Sequence, residues 1–170
     1  RLETVVTGLK VFLSQFPEAQ VELRMVGGRN EPEVGLLKEL TESLQISQSV
    51  MFTGYLTGAA LHEEFMSCHA GIVHIPDEER YAGQPSTKMF EYWAYQRPTL
   101  VSDTLTNRLY ADERTSIFYA DYPESFAEAI AVLYQQESLF NHEEIFQEAN
   151  RFSWENIVRD QLVPLLNRII

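Results

Sequence analysis

Ser86, Thr87, Lys88 and Glu91 bring two hydroxyls, an ammonium and a carboxylate close together in the middle of the chain. They lie in "AGQPSTKMFEYWAYQRPTLVSD", residues 82–103, where a loop with Gly83 and Pro85 runs into a helical pattern. The first N–H groups of a helix have no partners within it, and the helix dipole is positive there. Small hydroxyl residues let a phosphate approach those groups and add donors of their own. Lys88 supplies positive charge. Glu91, one turn further along, offers a carboxylate that accepts charge-assisted hydrogen bonds from hydroxyls. The chemistry in view is capture of a small phosphate-bearing ligand. A plainer pattern fits the same residues: Ser86 or Thr87 caps the helix, and Lys88 pairs with Glu91 at i,i+3 on the surface. The residues alone leave both open.

Other chemistry-bearing motifs are sparse. "VGGRN" resembles part of a dinucleotide loop, but G-x-G-x-x-G is absent, and two glycines after a strand are ordinarily a tight turn. Neither the phosphate-cradling G-x-x-x-x-G-K-[ST] nor the nucleophile elbow G-x-S-x-G occurs. His62, His69, His74 and His142 have no metal-ligand spacing, "HEEFMSCH" is not H-E-x-x-H, and Cys68 has no cysteine partner. Structural or surface roles fit these histidines, with His74 set apart by its place near the end of a strand. Asp77, Glu78 and Glu79 read as a solvated loop, or as carboxylates that hold sugar hydroxyls.

The elements that must position these residues alternate between helical and strand-like patterns. Leu2, Val5, Val6, Leu9, Phe12, Leu13 and Phe16 recur at helical spacing. "VELRMVGG" reads as a strand ending in a glycine turn, and "EPEVGLLKELTESLQI" as a helix with Pro32 in its first turn. "SVMFTGY" is a second strand, "TGAALHEEFMSC" a helix with Thr57 as N-cap, and "HAGIVHI" a third, largely apolar strand. In the helix after Ser86, the apolar stripe Met89, Phe90, Trp93 and Ala94 is expected to face the sheet, with Lys88, Glu91 and Tyr95 on another face. "PTLVS" and "SIFYA" complete the strands, with a short helix near 104–112 between them and helices near 123–137, 141–150 and 153–168 after them.

Strand–helix alternation with short connections predicts βαβ units and an α/β, Rossmann-like parallel sheet flanked by helices. Strands are expected at about 21–26, 49–53, 70–75, 98–102 and 116–120. In open parallel sheets ligands bind outside the carboxyl ends of the strands. That rule selects the segments after each strand, and the Ser86 stretch is one of them.

At 170 residues with 45% hydrophobic content the chain fits one domain, 1–170, with a core of normal size. A formal net charge of −12 argues against binding nucleic acid polymers, which requires neutralising phosphates with Lys and Arg. A small phosphate ligand needs only local donors, and Lys88 is one of just three lysines. No run of about 18 apolar residues marks a membrane span. A lone cysteine and an N-terminus without signal-peptide order fit a soluble, cytoplasmic domain, with the inner face of the membrane as its other expected place.

The order "VELRMVGG", "VMFTGYL", "AGIVHIP", "GQPSTKMFEYWAYQRP" and "FSWENIV" resembles the C-terminal half of GT-B-fold retaining glycosyltransferases, the group called family 4 or group 1. The most specific piece is "PSTKMFEYWAYQRP", similar to the family variant P-S-K-x-F-E-Y-x-A-x-G-x-P. The resemblance implies one half of a GT-B architecture that binds a nucleotide-diphospho-sugar donor. A glycan or lipid-linked acceptor would be held by a separate N-terminal domain, in polysaccharide biosynthesis. By position, Glu91 matches the second acidic residue of the family's E-x7-E motif, which binds the ribose hydroxyls. Ser86, Thr87 and Lys88 fall where the helix start meets the diphosphate. Gly54, Tyr55 and Leu56 match the loop whose backbone meets the base, and Arg1 a basic position at the diphosphate. No cofactor or metal is implied, in keeping with the absence of D-x-D.

Two departures stand out. Gly83 stands where the first glutamate of the motif belongs, eight residues before Glu91, and Gln96 replaces a glycine before Arg97-Pro98. The missing glutamate leaves the sugar contacts and the donor's identity open, with Asp77, Glu78 and Glu79 nearby as substitutes. A non-catalytic nucleotide-sugar-binding or interaction module of the same fold is the alternative from another class. A sugar-nucleotide epimerase is the enzymatic alternative, and it would need acid–base residues of its own.

Overall fold

A computed structural model describes residues 2–28, 32–76, 78–81, 83, 86–136 and 139–168. Arg1 and Asp77 lie outside the described residues. Five strands, β1 Leu23–Val26, β2 Val50–Gly54, β3 Gly71–Val73, β4 Thr99–Ser102 and β5 Ser116–Tyr119, fall where the sequence predicts them. All pair in parallel, in two ladders ordered β1-β2 and β3-β4-β5. Helices α1 Glu3–Gln15, α2 Pro32–Ser43, α3 Gly58–Ser67, α4 Thr87–Ala94, α5 Leu105–Arg108, α6 Pro123–Gln135 and α7 His142–Asn150 alternate with or follow them.

The alternation follows from local chemistry. Strand β4, "TLVS", is buried at every position, as a strand covered on both faces requires. α1 turns Val5, Val6, Leu9 and Phe12 into the core and packs against α6. Gly8 makes that packing possible: a Cβ there would come within 2.7 Å of the Pro123 carbonyl and 2.8 Å of the Phe126 ring. α6 opens on Pro123, whose fixed φ suits a first turn. Thr104 and Asn141 cap α5 and α7 by accepting bonds from backbone N–H groups.

Two apolar clusters lie on the two faces of the strands. One joins α1 and α6 to Leu23, Val50, Leu100 and Tyr119. The other joins α4 and α7 to Val73 and Val101. Among the described residues, no helix is long and apolar enough to cross a membrane.

Three details differ from expectation. Ala94 is exposed, so the buried stripe of α4 is Met89 and Trp93 with half-buried Phe90. Thr57 occupies the N-cap position of α3 without a side-chain capping bond, next to Gly58 at φ +56°. The helix expected near 153–168 is α8 Trp154–Ile157 and α9 Val163–Leu166, joined by a π-turn at Val158–Leu162. Pro164 explains the widening, since it has no N–H to return to the carbonyl four residues back.

Candidate functional site

The carboxyl ends of the strands carry the candidate site. After β1, Gly27 and Gly28 adopt φ of +116° and +67°, and Gly54 at the end of β2 adopts +72°. Gly27 N–H donates to the Gly54 carbonyl at 2.8 Å. A side chain at these left-handed positions would be strained, which is why glycine stands there. The turn leads into Tyr55, which is largely exposed.

The loop after β3 is held by buried polar groups. Ser102 Oγ accepts from the Ile75 N–H at 2.7 Å, which turns the chain out of the ladder just beyond Val73. Asn107, fully buried, donates from Nδ2 to the Ser102 carbonyl at 2.8 Å and so fixes the loop after β4. His74, with 3% of its side chain exposed, lies with Nδ1 3.0 Å from the Tyr119 hydroxyl and Nε2 3.5 Å from Asp121. Asp121 Oδ1 also accepts from Thr4 Oγ1 at 3.0 Å, tying the edge to α1. Burial pushes the Tyr119 phenol well above its ordinary range, so it stays neutral and hydrogen-bonding. His74 is thus held between Tyr119 and Asp121 just beyond β3.

α4 projects from this edge. Trp93 and Met89 are fully buried beneath it, and the Trp93 indole N–H donates to Thr99 Oγ1 at 3.2 Å. With that face fixed, Thr87 and Lys88 are exposed, and Ser86 and Glu91 half-buried. Ser86 is the N-cap residue but makes no side-chain bond to the first turn, so the capping expectation is not met. Lys88 Nζ donates to Glu91 Oε2 at 2.9 Å, as the surface-pair pattern predicts.

Every basic side chain described along this edge has a carboxylate. Arg80 pairs with Glu78 at 2.7 Å, and Arg108 forks onto Asp103, its Nη2 reaching Oδ2 at 2.8 Å. The hydrogen bond from Arg108 holds the Asp103 carboxyl below its ordinary range. Arg108 also lies 4.2 Å from the Phe118 ring centroid. Between the β3 and β4 loops is a cavity of about 330 Å³, lined by Pro76, Glu78, Glu79, Tyr81, Asp103 and Arg108 among others.

Lys88 and Glu91 are in direct contact, with Ser86 and Thr87 at the same helix start. Gly54 ends β2 in the other ladder, and Tyr55 and Leu56 follow it out of the carboxyl edge. Arg1 lies outside the described residues. The post-strand rule selects the segment Ser102 through Arg108, but sequence reasoning did not read the part Ser102 and Asn107 play in holding the β3 and β4 loops. Their only sequence signal is a polar residue at the end of a buried strand and another in the loop after it.

No protein-family model matches the chain, and no curated protein sequence does. Solved structures match over nearly its whole length. A sucrose-phosphate synthase from Thermosynechococcus elongatus superposes with a TM-score of 0.77 at 17% identity, over 99% of this chain and 43% of its own. The pneumococcal O-GlcNAc transferase GtfA, solved with UDP and GlcNAc, gives 0.73 at 16% identity, over 98% of this chain and 33% of its own. Anabaena HepE, solved with UDP and glucose, gives 0.70 at 17% identity, over 94% and 44%. The chain thus spans 33–44% of the length of these solved chains. At such identities the likeness is one of fold, and it is that of a Rossmann-like domain of GT-B glycosyltransferases.

Proposed function

We propose that residues 1–170 are the donor-binding, C-terminal domain of a retaining glycosyltransferase of the family 4 or group 1 kind. The domain takes a nucleotide-diphospho-sugar, and a further N-terminal domain presents a glycan or lipid-linked acceptor for polysaccharide synthesis. The observation that carries this reading is the placement of Ser86–Glu91 on the carboxyl edge, in a fold shared with transferases solved with UDP. In this reading Glu91 accepts from the ribose hydroxyls. The α4 N–H groups, Ser86, Thr87 and Lys88 face the diphosphate, with Arg1 beside it, and the Gly54–Leu56 backbone meets the base.

The Lys88–Glu91 pair does not oppose this role. Both side chains are substantially exposed, and such surface pairs are worth about 0–1 kcal/mol. A hydrogen bond donated by Lys88 to a ligand, or accepted from one by Glu91, is worth about 1.5–3 kcal/mol, enough to redirect the pair. As the sugar–phosphate bond breaks, negative charge grows on the leaving diphosphate, where Lys88 and the helix start stabilise it. The chain by itself would bind donor and transfer nothing, because transfer needs both reactants held in near-attack geometry.

The test is calorimetric titration of the 170-residue chain with uridine and guanosine diphosphates. Binding of one of them is expected, and Lys88→Ala should weaken it, more at low salt than at high salt because screening mutes the parent's charge contribution. Absence of binding by either nucleotide, or steady sugar transfer by this chain alone, contradicts the reading. The second reading is a module that binds the donor without transfer. Donor binding by an intact polypeptide that turns over no acceptor would select it.

A further inference from the structure

A second cavity, of about 520 Å³, opens between α3, the end of α4 and the start of α7. Met66 comes shortly before β3 and Arg97 just before β4, so it lies at the amino ends of the strands, opposite the candidate site. Its wall inverts the charge of the chain. The sequence has 25 acidic and 13 basic residues, yet the described lining holds Arg97, His62 and His142 and no carboxylate. Each of these side chains is anchored through one nitrogen and open at another. Arg97 donates from Nε to the Phe65 carbonyl at 3.4 Å and from Nη2 to the Met66 carbonyl at 2.5 Å, at the end of α3. Its Nη1 has no partner among the described residues. His62 Nδ1 lies 2.9 Å from the Tyr95 hydroxyl, and His142 Nδ1 lies 2.7 Å from the Gln96 carbonyl. A carbonyl only accepts, so His142 Nδ1 carries a proton and Nε2 of the neutral ring is a bare lone pair. A second proton turns Nε2 into a donor and the ring into a cation.

We propose that this cavity binds a tetrahedral oxyanion, the phosphate or sulfate of a small molecule, and that His142 takes up a proton as it binds. A phosphate ester presents three acceptor oxygens, one for each open nitrogen of Arg97, His62 and His142. His62 serves in either state, because the Tyr95 hydroxyl can donate to Nδ1 and leave a proton on Nε2. Anchored side chains lose little freedom on binding, which lowers its cost. Met66, Ala94 and the Tyr95 ring give the organic part of an ester an apolar wall, and the volume lies within the usual range of about 300–1,000 Å³ for ligand sites. Most carboxylates on the same helices are engaged elsewhere. Glu64 pairs with Arg24 at 2.8 Å, Glu148 with Arg151, and Glu91 with Lys88 at the far end of α4. Glu143 and Glu144 accept from Gln147 and Asn141 at 3.3 and 3.2 Å. Exposed Glu63 stands beside His62 in α3, a negative charge that favours protonation of the ring. The inference is independent of the proposed nucleotide site.

Titration with sulfate, followed by the NMR signals of the histidine rings, tests it, since sulfate keeps its charge while histidine titrates. Affinity is expected to rise about tenfold or more from about pH 8 to about pH 6, because imidazoles ordinarily protonate around 6.5. The His62 and His142 rings should shift, and buried His74, beyond the other end of β3, should not. His142→Asn keeps an N–H for the Gln96 carbonyl and removes the titrating nitrogen. It should abolish the pH dependence and weaken sulfate binding at pH 6 by about tenfold, the scale of one charged hydrogen bond. Lys88→Ala should leave sulfate binding unchanged, which separates this site from the nucleotide site. Phenyl phosphate that binds more tightly than inorganic phosphate at one pH assigns the cavity to organic esters, and equal affinity assigns it to the free anion. The site is refuted if sulfate does not bind at pH 6, if its affinity is the same at pH 8, or if a folded His142→Asn binds as the parent does. Should that variant not fold, the parent decides: sulfate that shifts His74 as much as His62 and His142 refutes the site.

Discussion

Trp93→Ala is expected to destabilise the chain by about 3–5 kcal/mol, the range for removing a buried Trp or Phe side chain. Trp93 is fully buried in the cluster of Val73, Met89, Val101, Phe140 and Ile145, edge-on to Phe90 with ring centroids 5.6 Å apart. Its indole N–H reaches Thr99 Oγ1, which in turn lies 2.8 Å from Ser116 Oγ, so one side chain links α4 to β4 and, through Thr99, to β5. Natural domains have only about 5–15 kcal/mol in total, so the substitution consumes a large fraction of the margin. Trp93→Phe keeps most of the apolar volume and loses the hydrogen bond, a loss of about 0.5–1.5 kcal/mol before any repacking. Urea unfolding followed by circular dichroism measures both. A Trp93→Ala variant that loses less than about 1 kcal/mol, well under the usual buried-aromatic range, would mean α4 is anchored elsewhere. The same variant probes function, because α4 presents Lys88 and Glu91. Nucleotide binding should weaken in step with the loss of structure in α4.

What the sequence made legible was whatever local periodicity controls. The four consecutive buried residues of β4, and the Val5, Val6, Leu9, Phe12 stripe of α1, are readable because each element buries a fixed face. Ala94 was misplaced because spacing alone does not say how wide the buried stripe is, and α4 buries only Met89 and Trp93 fully. The polar scaffold was invisible for a different reason. Ile75 bonds to Ser102 across 27 positions and His74 to Tyr119 across 45, and no short window contains such pairs. The π-turn at Val158–Leu162 was also missed, although Pro164 was in plain view, since proline is tolerated near a helix start and the sequence does not say where that start falls. At the site, the four residues Ser86, Thr87, Lys88 and Glu91 were legible as a group. Lys88 faces Glu91 in the structure, a contact the i,i+3 spacing made legible as well.

Glu91→Ala should weaken binding of the preferred nucleoside diphosphate by about 1–3 kcal/mol, the range for losing hydrogen bonds to a charged acceptor. The argument begins with α4, whose buried Met89 and Trp93 fix its rotation and leave Glu91 half-buried at the carboxyl edge. A carboxylate in the first turns of a helix lies at the positive end of the dipole and accepts charge-assisted hydrogen bonds from hydroxyls. Two adjacent ribose hydroxyls can bond its two oxygens together, and only the ionised side chain serves both. Glu91→Gln keeps the size and one acceptor oxygen, so its loss should be smaller than that of Glu91→Ala. The surface-pair alternative predicts otherwise. If Glu91 serves only Lys88, removing it frees the ammonium, and diphosphate binding should hold steady or tighten, most visibly at low salt. Comparing ribose with 2′-deoxyribose nucleotides separates the two readings further. A ribose-binding Glu91 makes the parent discriminate against the deoxy ligand, and the discrimination disappears in Glu91→Ala. If both variants fold as the parent does and bind ribose and deoxyribose ligands with unchanged affinity, Glu91 has no part in holding the donor.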